Sequence, residues 1–175
     1  VKLIVSDVDG TLLTSDRRLS DENIAGIKKA KEQNIKFTIS TGRVVSMLDY
    51  YIKTLEITTP VIAFNGAVAW DPVSKETIYD IPMDKEELYE LLDLCKYYEL
   101  DYGVMTMGVN YFSPNSFRIK RYQGYNEFAK SHGMSIMEVD VFDEKHSCID
   151  GVKVYKLLIT EKDSKKIKVM VDHLQ

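Results

Sequence analysis

The stretch Leu3-Ile4-Val5-Ser6-Asp7-Val8-Asp9-Gly10-Thr11 runs an apolar segment straight into two carboxylates, so two acids emerge at the end of what reads as a buried strand. In an extended chain, side chains at i and i+2 point to the same side, with their Cα atoms roughly 6.5 to 7 Å apart. Asp7 and Asp9 are therefore expected to face one small ligand, a placement suited to phosphoryl chemistry. Gly10 allows a sharp turn that a β-branched residue would resist, and Thr11 offers a hydroxyl where the strand stops. An isolated pair of this kind can equally be a polar strand exit, and the flanking sequence has to decide.

Two further short apolar segments follow at helix-separated intervals, Lys36–Ser40 and Val61–Phe64. Short apolar strands of this sort fit a parallel sheet covered on both faces. Between the first two, Ser20 is a plausible N-cap, Ile24, Ile27 and Ala30 follow at helical spacing, and Asn34 ends the helix. Between the second and third, Val45, Leu48 and Ile52 repeat that spacing, and Pro60 stops any helix. The order is βαβαβ, an open α/β sheet whose ligands bind beyond the carboxyl ends of the strands. All three ends carry polar or small residues: Asp7 and Asp9, then Thr41-Gly42-Arg43, then Asn65-Gly66-Ala67.

Beyond Ala67 the pattern changes. Val68–Trp70 and Thr77–Tyr79 flank Asp71-Pro72-Val73-Ser74 and predict a hairpin. Asp84 with Glu87 opens a helix whose stripe of Leu88, Leu91, Leu92, Cys95 and Tyr98 runs to about Glu99. Strands are expected at Tyr102–Met107, Asn110–Ser113 and Val152–Thr160, a short helix around Tyr125–Ser131 ended by Gly133, and a final helix to Leu174. A boundary near Pro82 divides residues 1–82 from a second, smaller α/β unit at residues 83–175.

Composition narrows the function. The 175 residues are 45% apolar and 29% charged, with a net charge of −4. The lysines are dispersed among acids, which gives no basic surface for nucleic acid. No stretch approaches the roughly 20 apolar residues a membrane helix needs, and Val1-Lys2-Leu3 enters a strand with no room for a secretory signal. Cys95 and Cys148 fit reduced thiols of the cytoplasm better than a disulfide. His146 and Cys148 lack a second ligand pair and read as part of a solvated loop rather than a metal site. An EF-hand loop beginning at Asp7 would need glycine at its sixth position, where Leu12 stands, and a Walker A ending is absent.

Asp7-Val8-Asp9-Gly10-Thr11, a second strand ending Thr41-Gly42-Arg43 and a third ending Asn65-Gly66-Ala67 resemble the haloacid dehalogenase superfamily, specifically the Cof-like phosphatases with an α/β cap. The resemblance implies a three-layer Rossmann-like core plus cap, and hydrolysis of small phosphate esters. Asp7 would be the nucleophile that forms an aspartyl-phosphate, and Asp9 the general acid that protonates the leaving oxygen and later deprotonates water. It also implies Mg²⁺ held by the Asp7 carboxylate and the Asp9 main-chain carbonyl, with Thr41, Gly42 and Arg43 on the phosphoryl group. Thr41 and Gly42 are expected to open a helix whose amides favour the anion, while Arg43 can instead serve a structural ion pair with a carboxylate.

Two later motifs of that family, a lysine and a GDxxND-like acidic pair, do not occur in these residues, and Lys153 and Lys156 fall on a cap strand. The expected polypeptide is therefore longer, with its first strand central. The 175 residues alone would leave Asp7 on an unpaired edge and hydrolyse little. Caps of this type choose the substrate. Here Tyr102, Met105, Met107, Tyr111, Phe112 and Arg118 either line a pocket for a sugar phosphate or cofactor-precursor phosphate or form the cap's own core. Asn65 and Gly66 join Arg118 as candidate substrate contacts. A phosphomutase and a non-catalytic phosphometabolite-binding module remain as alternatives, and no oligomeric state is implied.

Overall fold

The computed structural model describes residues 2–161 and 164–173. Two compact units divide the chain, Val1–Ile81 and Pro82–Gln175.

In the first unit, β1 (Leu3–Ser6) pairs in parallel with β2 (Lys36–Ile39), Leu3 opposite Lys36 and Ser6 opposite Ile39. A parallel bridge from Ser40 to Ile62 joins β3 (Val61–Ala63) on the far side of β2. The crossovers are α1 (Asp21–Glu32) and, after a 3-10 turn at Val45–Leu48, α2 (Asp49–Thr54). Ser20 caps α1 by accepting the Asn23 amide at 3.1 Å, as its position before the apolar spacing predicts.

β2 and β3 are buried, but Leu3, Ile4 and Val5 of β1 remain 46%, 42% and 50% exposed. The expectation of a sheet covered on both faces thus fails at its first strand. Among the described residues, β1 has a partner on one side only. Its apolar run has the composition of a central strand in an edge position, which leaves main-chain donors and acceptors open to water. Beyond β3, β4 (Val68–Asp71) and β5 (Glu76–Asp80) form the expected hairpin around Asp71, whose carboxylate accepts the Val73 amide at 2.7 Å.

The second unit is built on β6 (Asp101–Thr106), flanked by β7 (Asn110–Phe112) on one side and β9 (Val154–Thr160) on the other, with β8 (Val139–Val141) outside β7. β7 and β9 run antiparallel to β6, whereas β8 lies parallel to β7. α3 (Lys85–Tyr97) opens on Asp84, which accepts the Glu86 and Glu87 amides. Its stripe packs Leu88, Leu92 and Cys95 onto Tyr102 and Val104 of β6 and Met170 of α5 (Ser164–His173). Leu92 is fully buried, worth about 1.5–3 kcal/mol relative to exposure.

Three expectations change here. The helix before Gly133 is α4 (Phe117–Ser131), eight residues longer at its start and capped by Ser116. β8 is an additional strand, and Leu174 lies outside the described residues. The loop around Cys148 is also more than a solvated surface. His146 is only 2% exposed and bonds the Tyr102 hydroxyl at 2.8 Å, while Asp143 accepts amides from Lys145, Ser147 and Cys148. No helix of the described residues is long and apolar enough to cross a membrane.

Candidate active site

Asp7 leaves β1 still extended, at φ −70° and ψ 161°, and the chain then folds into a wide turn over Val8–Leu12. Val8 and Leu12 are buried and anchor the turn from inside. The Leu13 amide closes it on the Val8 carbonyl at 3.0 Å, and Asn23 of α1 donates to the Leu12 carbonyl at 2.9 Å. Val8 is buried, and Asp7 and Asp9 on either side of it are both exposed. Gly10 takes φ 79°, the left-handed backbone that L side chains resist. Asp7 accepts the Val8 amide at 2.6 Å.

The second strand end lies where Thr41 donates its amide to the Ile62 carbonyl at 2.9 Å. Thr41 is buried, and its hydroxyl oxygen accepts the Arg43 amide at 3.3 Å. Gly42 and Arg43 form a bend, and the 3-10 turn begins at Val45 without a side-chain cap. Thr41 and Gly42 therefore do not open a helix, and the helix-dipole contribution expected for them is withdrawn. A four-residue 3-10 turn followed by the six-residue α2 sums few peptide dipoles.

Arg43 reaches back to the first strand end. Its Nε donates to Asp9 Oδ2 at 2.8 Å and a terminal nitrogen donates to Oδ1 at 2.7 Å, a two-pronged pairing across 34 positions of sequence. The other terminal nitrogen donates to the Tyr51 hydroxyl at 2.8 Å, and the guanidinium carbon lies 5.2 Å from that ring's centroid. Burial opposes the arginine's charge, but Asp9 and Tyr51 more than offset it and its pKa is raised. Burial likewise raises the pKa of Tyr51 against the pull of Arg43. Tyr51 carries no motif. It falls beside Ile52, outside the Val45, Leu48 and Ile52 spacing, and nothing in the sequence marks it.

At the third strand end, Phe64, Asn65 and Gly66 take φ 52°, 59° and 102° in succession. Left-handed backbone costs a non-glycine residue about 1–3 kcal/mol and needs neighbours that enforce it. Here the Phe64 amide bonds the Arg43 carbonyl at 3.0 Å and the Asn65 amide bonds the Thr41 carbonyl at 3.1 Å. These bonds tie the ends of β2 and β3 into one surface, with Phe64 buried beneath and Asn65 and Gly66 exposed.

The remaining candidates belong to the second unit. Arg118 donates from Nε to the Thr160 hydroxyl at 2.6 Å, at the end of β9. Tyr102, Met105 and Phe112 are buried as the unit's own core. Met107 and Tyr111 instead border a cavity of about 290 Å³ with Thr106, Val152, Lys153 and Tyr155. Three of the six are thus core of this unit, and Tyr111 also packs against that core.

Among the described residues, no group of three or more His, Cys, Asp or Glu is arranged to hold a metal. The first strand end supplies carboxylate, hydroxyl and main-chain oxygens. These hard donors suit Mg²⁺, which keeps several waters and is commonly held by one or two carboxylates with substrate phosphate.

The sequence pattern of haloacid dehalogenase-like hydrolases matches residues 4–175. The phosphatase YwpJ of Bacillus subtilis is 34% identical over 115 residues, covering 66% of this chain and 40% of that protein. The 5-amino-6-(5-phospho-D-ribitylamino)uracil phosphatase YitU of the same bacterium is 31% identical over 99 residues, 56% of this chain and 37% of that one. The chain spans about two fifths of the length of these curated relatives. A crystal structure of a haloacid dehalogenase-like hydrolase from Bacteroides thetaiotaomicron superposes over 99% of this chain and 62% of that one, with a TM-score of 0.77 at 21% identity. That likeness shows a shared fold, a Rossmann-like core with an α/β cap. With the family pattern running through nearly every residue from β1 to α5, the chain belongs to the haloacid dehalogenase-like hydrolases.

Proposed function

We propose that this chain is part of a Mg²⁺-dependent phosphatase of small phosphorylated metabolites, a sugar phosphate or a cofactor-precursor phosphate. Residues 1–82 then belong to the phosphoryl-transfer core and residues 83–175 to the cap. The observation that carries the reading is that Asp7 and Asp9 are both exposed at the β1 end, with Arg43 reaching Asp9 from the next strand end. The names of YwpJ and YitU support phosphatase activity, and that of YitU a phosphorylated ribityl substrate. A cytoplasmic setting accords with the chemistry of two free thiols.

In this mechanism the Asp7 carboxylate attacks phosphorus while Asp9 delivers a proton to the departing oxygen. Asp9 then takes a proton from the water that cleaves the aspartyl-phosphate. Thr41 and the Gly42 amide line the phosphoryl site, and Arg43 adds positive charge beside it. Asn65, Gly66 and Arg118 remain candidate contacts to the rest of the substrate. The Asp7 carboxylate and the Asp9 main-chain carbonyl would hold Mg²⁺, which supplies positive charge against the repulsion between an anionic nucleophile and an anionic ester. Uncatalysed monoester hydrolysis is slow enough that enzymes accelerate it by up to ~10²¹-fold, so several such contributions must combine.

The test is phosphate release from a panel of esters with Mg²⁺, using the polypeptide as its gene encodes it. Hydrolysis of several panel members is expected, and Asp7→Asn should abolish it. Failure on every ester refutes the phosphatase, and Asp7→Asn activity within tenfold of the parent removes Asp7 as nucleophile. Isomeric sugar phosphate in place of free phosphate would identify a mutase, and tight binding without turnover a regulatory module.

A further inference from the structure

Tyr51 has no part in the chemistry proposed above, yet it holds the group that holds Asp9. All three outward edges of the Arg43 guanidinium bear on this geometry: two donors meet the two Asp9 oxygens, and the third meets the Tyr51 hydroxyl. Arginine presents its donors as a rigid plane on a flexible stem. Fixing one terminal nitrogen therefore fixes the direction of the other two. Tyr51 is suited to that task because it is itself buried, 7% exposed, with its ring set edge-on to Tyr50 at a centroid distance of 5.3 Å. Asp9, by contrast, has a side chain 56% exposed and stands beside the left-handed Gly10.

We propose that Tyr51 is a positioning residue for proton transfer: its hydroxyl braces the Arg43 guanidinium, which in turn sets the orientation of the Asp9 carboxylate. The inference rests on the reading of Asp9 as general acid and base, and it adds a residue that touches neither substrate nor the reacting atoms. Its consequence depends on the leaving group. A p-nitrophenolate departs without help, so its release is insensitive to the placement of an acid. An alkoxide must be protonated as it leaves, and an acid held out of line by even about 1 Å can cost up to ~100-fold.

The test compares the gene-encoded polypeptide with Tyr51→Phe, which keeps the ring and removes the oxygen, and with Arg43→Lys, which removes the planar fork. Tyr51→Phe is expected to lower the single-turnover rate of alcohol release from an alkyl phosphate such as glycerol phosphate about tenfold and to leave the burst rate of p-nitrophenolate release within about twofold, while the hydrolytic step shared by both esters slows equally. Combining it with Arg43→Lys should be no worse than Arg43→Lys alone, because the two act through one chain of contacts. A second readout needs no turnover. The Arg43 Nε–H resonance, assigned by its loss in Arg43→Lys, should be protected from exchange in the parent and lose that protection in Tyr51→Phe. Equal loss of the release rate on both esters, no loss on either, or an unchanged Nε–H resonance overturns the brace. A parent inactive on every ester would instead refute the phosphatase reading, and the Nε–H measurement would still decide whether Tyr51 orders Arg43.

Discussion

Gly103 lies in β6, between β7 and β9, with Phe112 as its partner across the ladder. A Cβ placed there would overlap Phe112 Cδ1, with Cε1 of the same ring at 2.6 Å and the Tyr111 carbonyl oxygen at 2.9 Å. Neither obstacle yields easily. Phe112 is fully buried with its ring 5.3 Å from that of Tyr122, and the carbonyl belongs to the neighbouring strand. Forcing a methyl into a packed site costs about 1–3 kcal/mol, and the main-chain clash puts Gly103→Ala at the upper end. Restricting the unfolded chain returns about 0.4–1 kcal/mol, leaving a net loss of about 2 kcal/mol. For a unit of this size each kcal/mol lowers Tm by about 4–8 °C, so near-UV circular dichroism of the cap aromatics should record a drop of about 8–16 °C. Adding Phe112→Leu should recover part of it. Gly124→Ala in α4 is the contrast, because nothing lies within 4 Å of its added Cβ, and it should stabilise by about 0.5–1 kcal/mol. A Gly103→Ala variant that melts within 3 °C of the parent, on the order of half a kcal/mol, would refute the packing of β6 against β7.

Asp9→Asn should slow both chemical steps by about 10²–10⁴-fold, while Mg²⁺ still raises the residual rate, because the carbonyl proposed to hold the ion is retained. Burial holds the His146 pKa below its ordinary 6.5, with Lys96 adding to the effect and Asp93 and Asp143 opposing it. Between the folded and unfolded values the unfolded chain binds more protons, so this contribution to stability is complete above pH 6.5 and declines as pH falls below it. Urea unfolding at pH 7.5 and pH 5.5, roughly one unit to either side of an unperturbed histidine, should show that decline, and His146→Gln should flatten it. Burial pushes the Cys95 thiol up to about 12. At neutral pH it should react with a disulfide reagent only as fast as α3 opens, and rapid labelling without denaturant would contradict its burial.

Local chemistry made much of this chain legible. Ser20 and Asp84 marked helix starts because a cap needs only a short polar side chain and the next two or three amides. The Asp71 turn announced its hairpin in the same way, and apolar Val8 is buried while the acids on either side of it are exposed. Other features were settled by contacts distant in sequence. The first eight residues of α4 lack an apolar stripe and include Gly124 near their end, so their helix follows from Ser116 and from packing such as Tyr122 on Phe112. β8 is three residues that become a strand only by pairing with β7.

The physical division runs between what a residue does to its neighbours in the chain and what burial brings to it from elsewhere. Alternation, caps and turns act within about five residues, so the sequence by itself determined the strand ends and the pair of acids. Whether Thr41 would begin a helix, that Arg43 would reach Asp9, and that Tyr51 would hold the guanidinium depended on how the crossovers bring strand ends together. Only the tertiary structure decided those, because a hydrogen bond across 34 residues is specified by the packing of everything between.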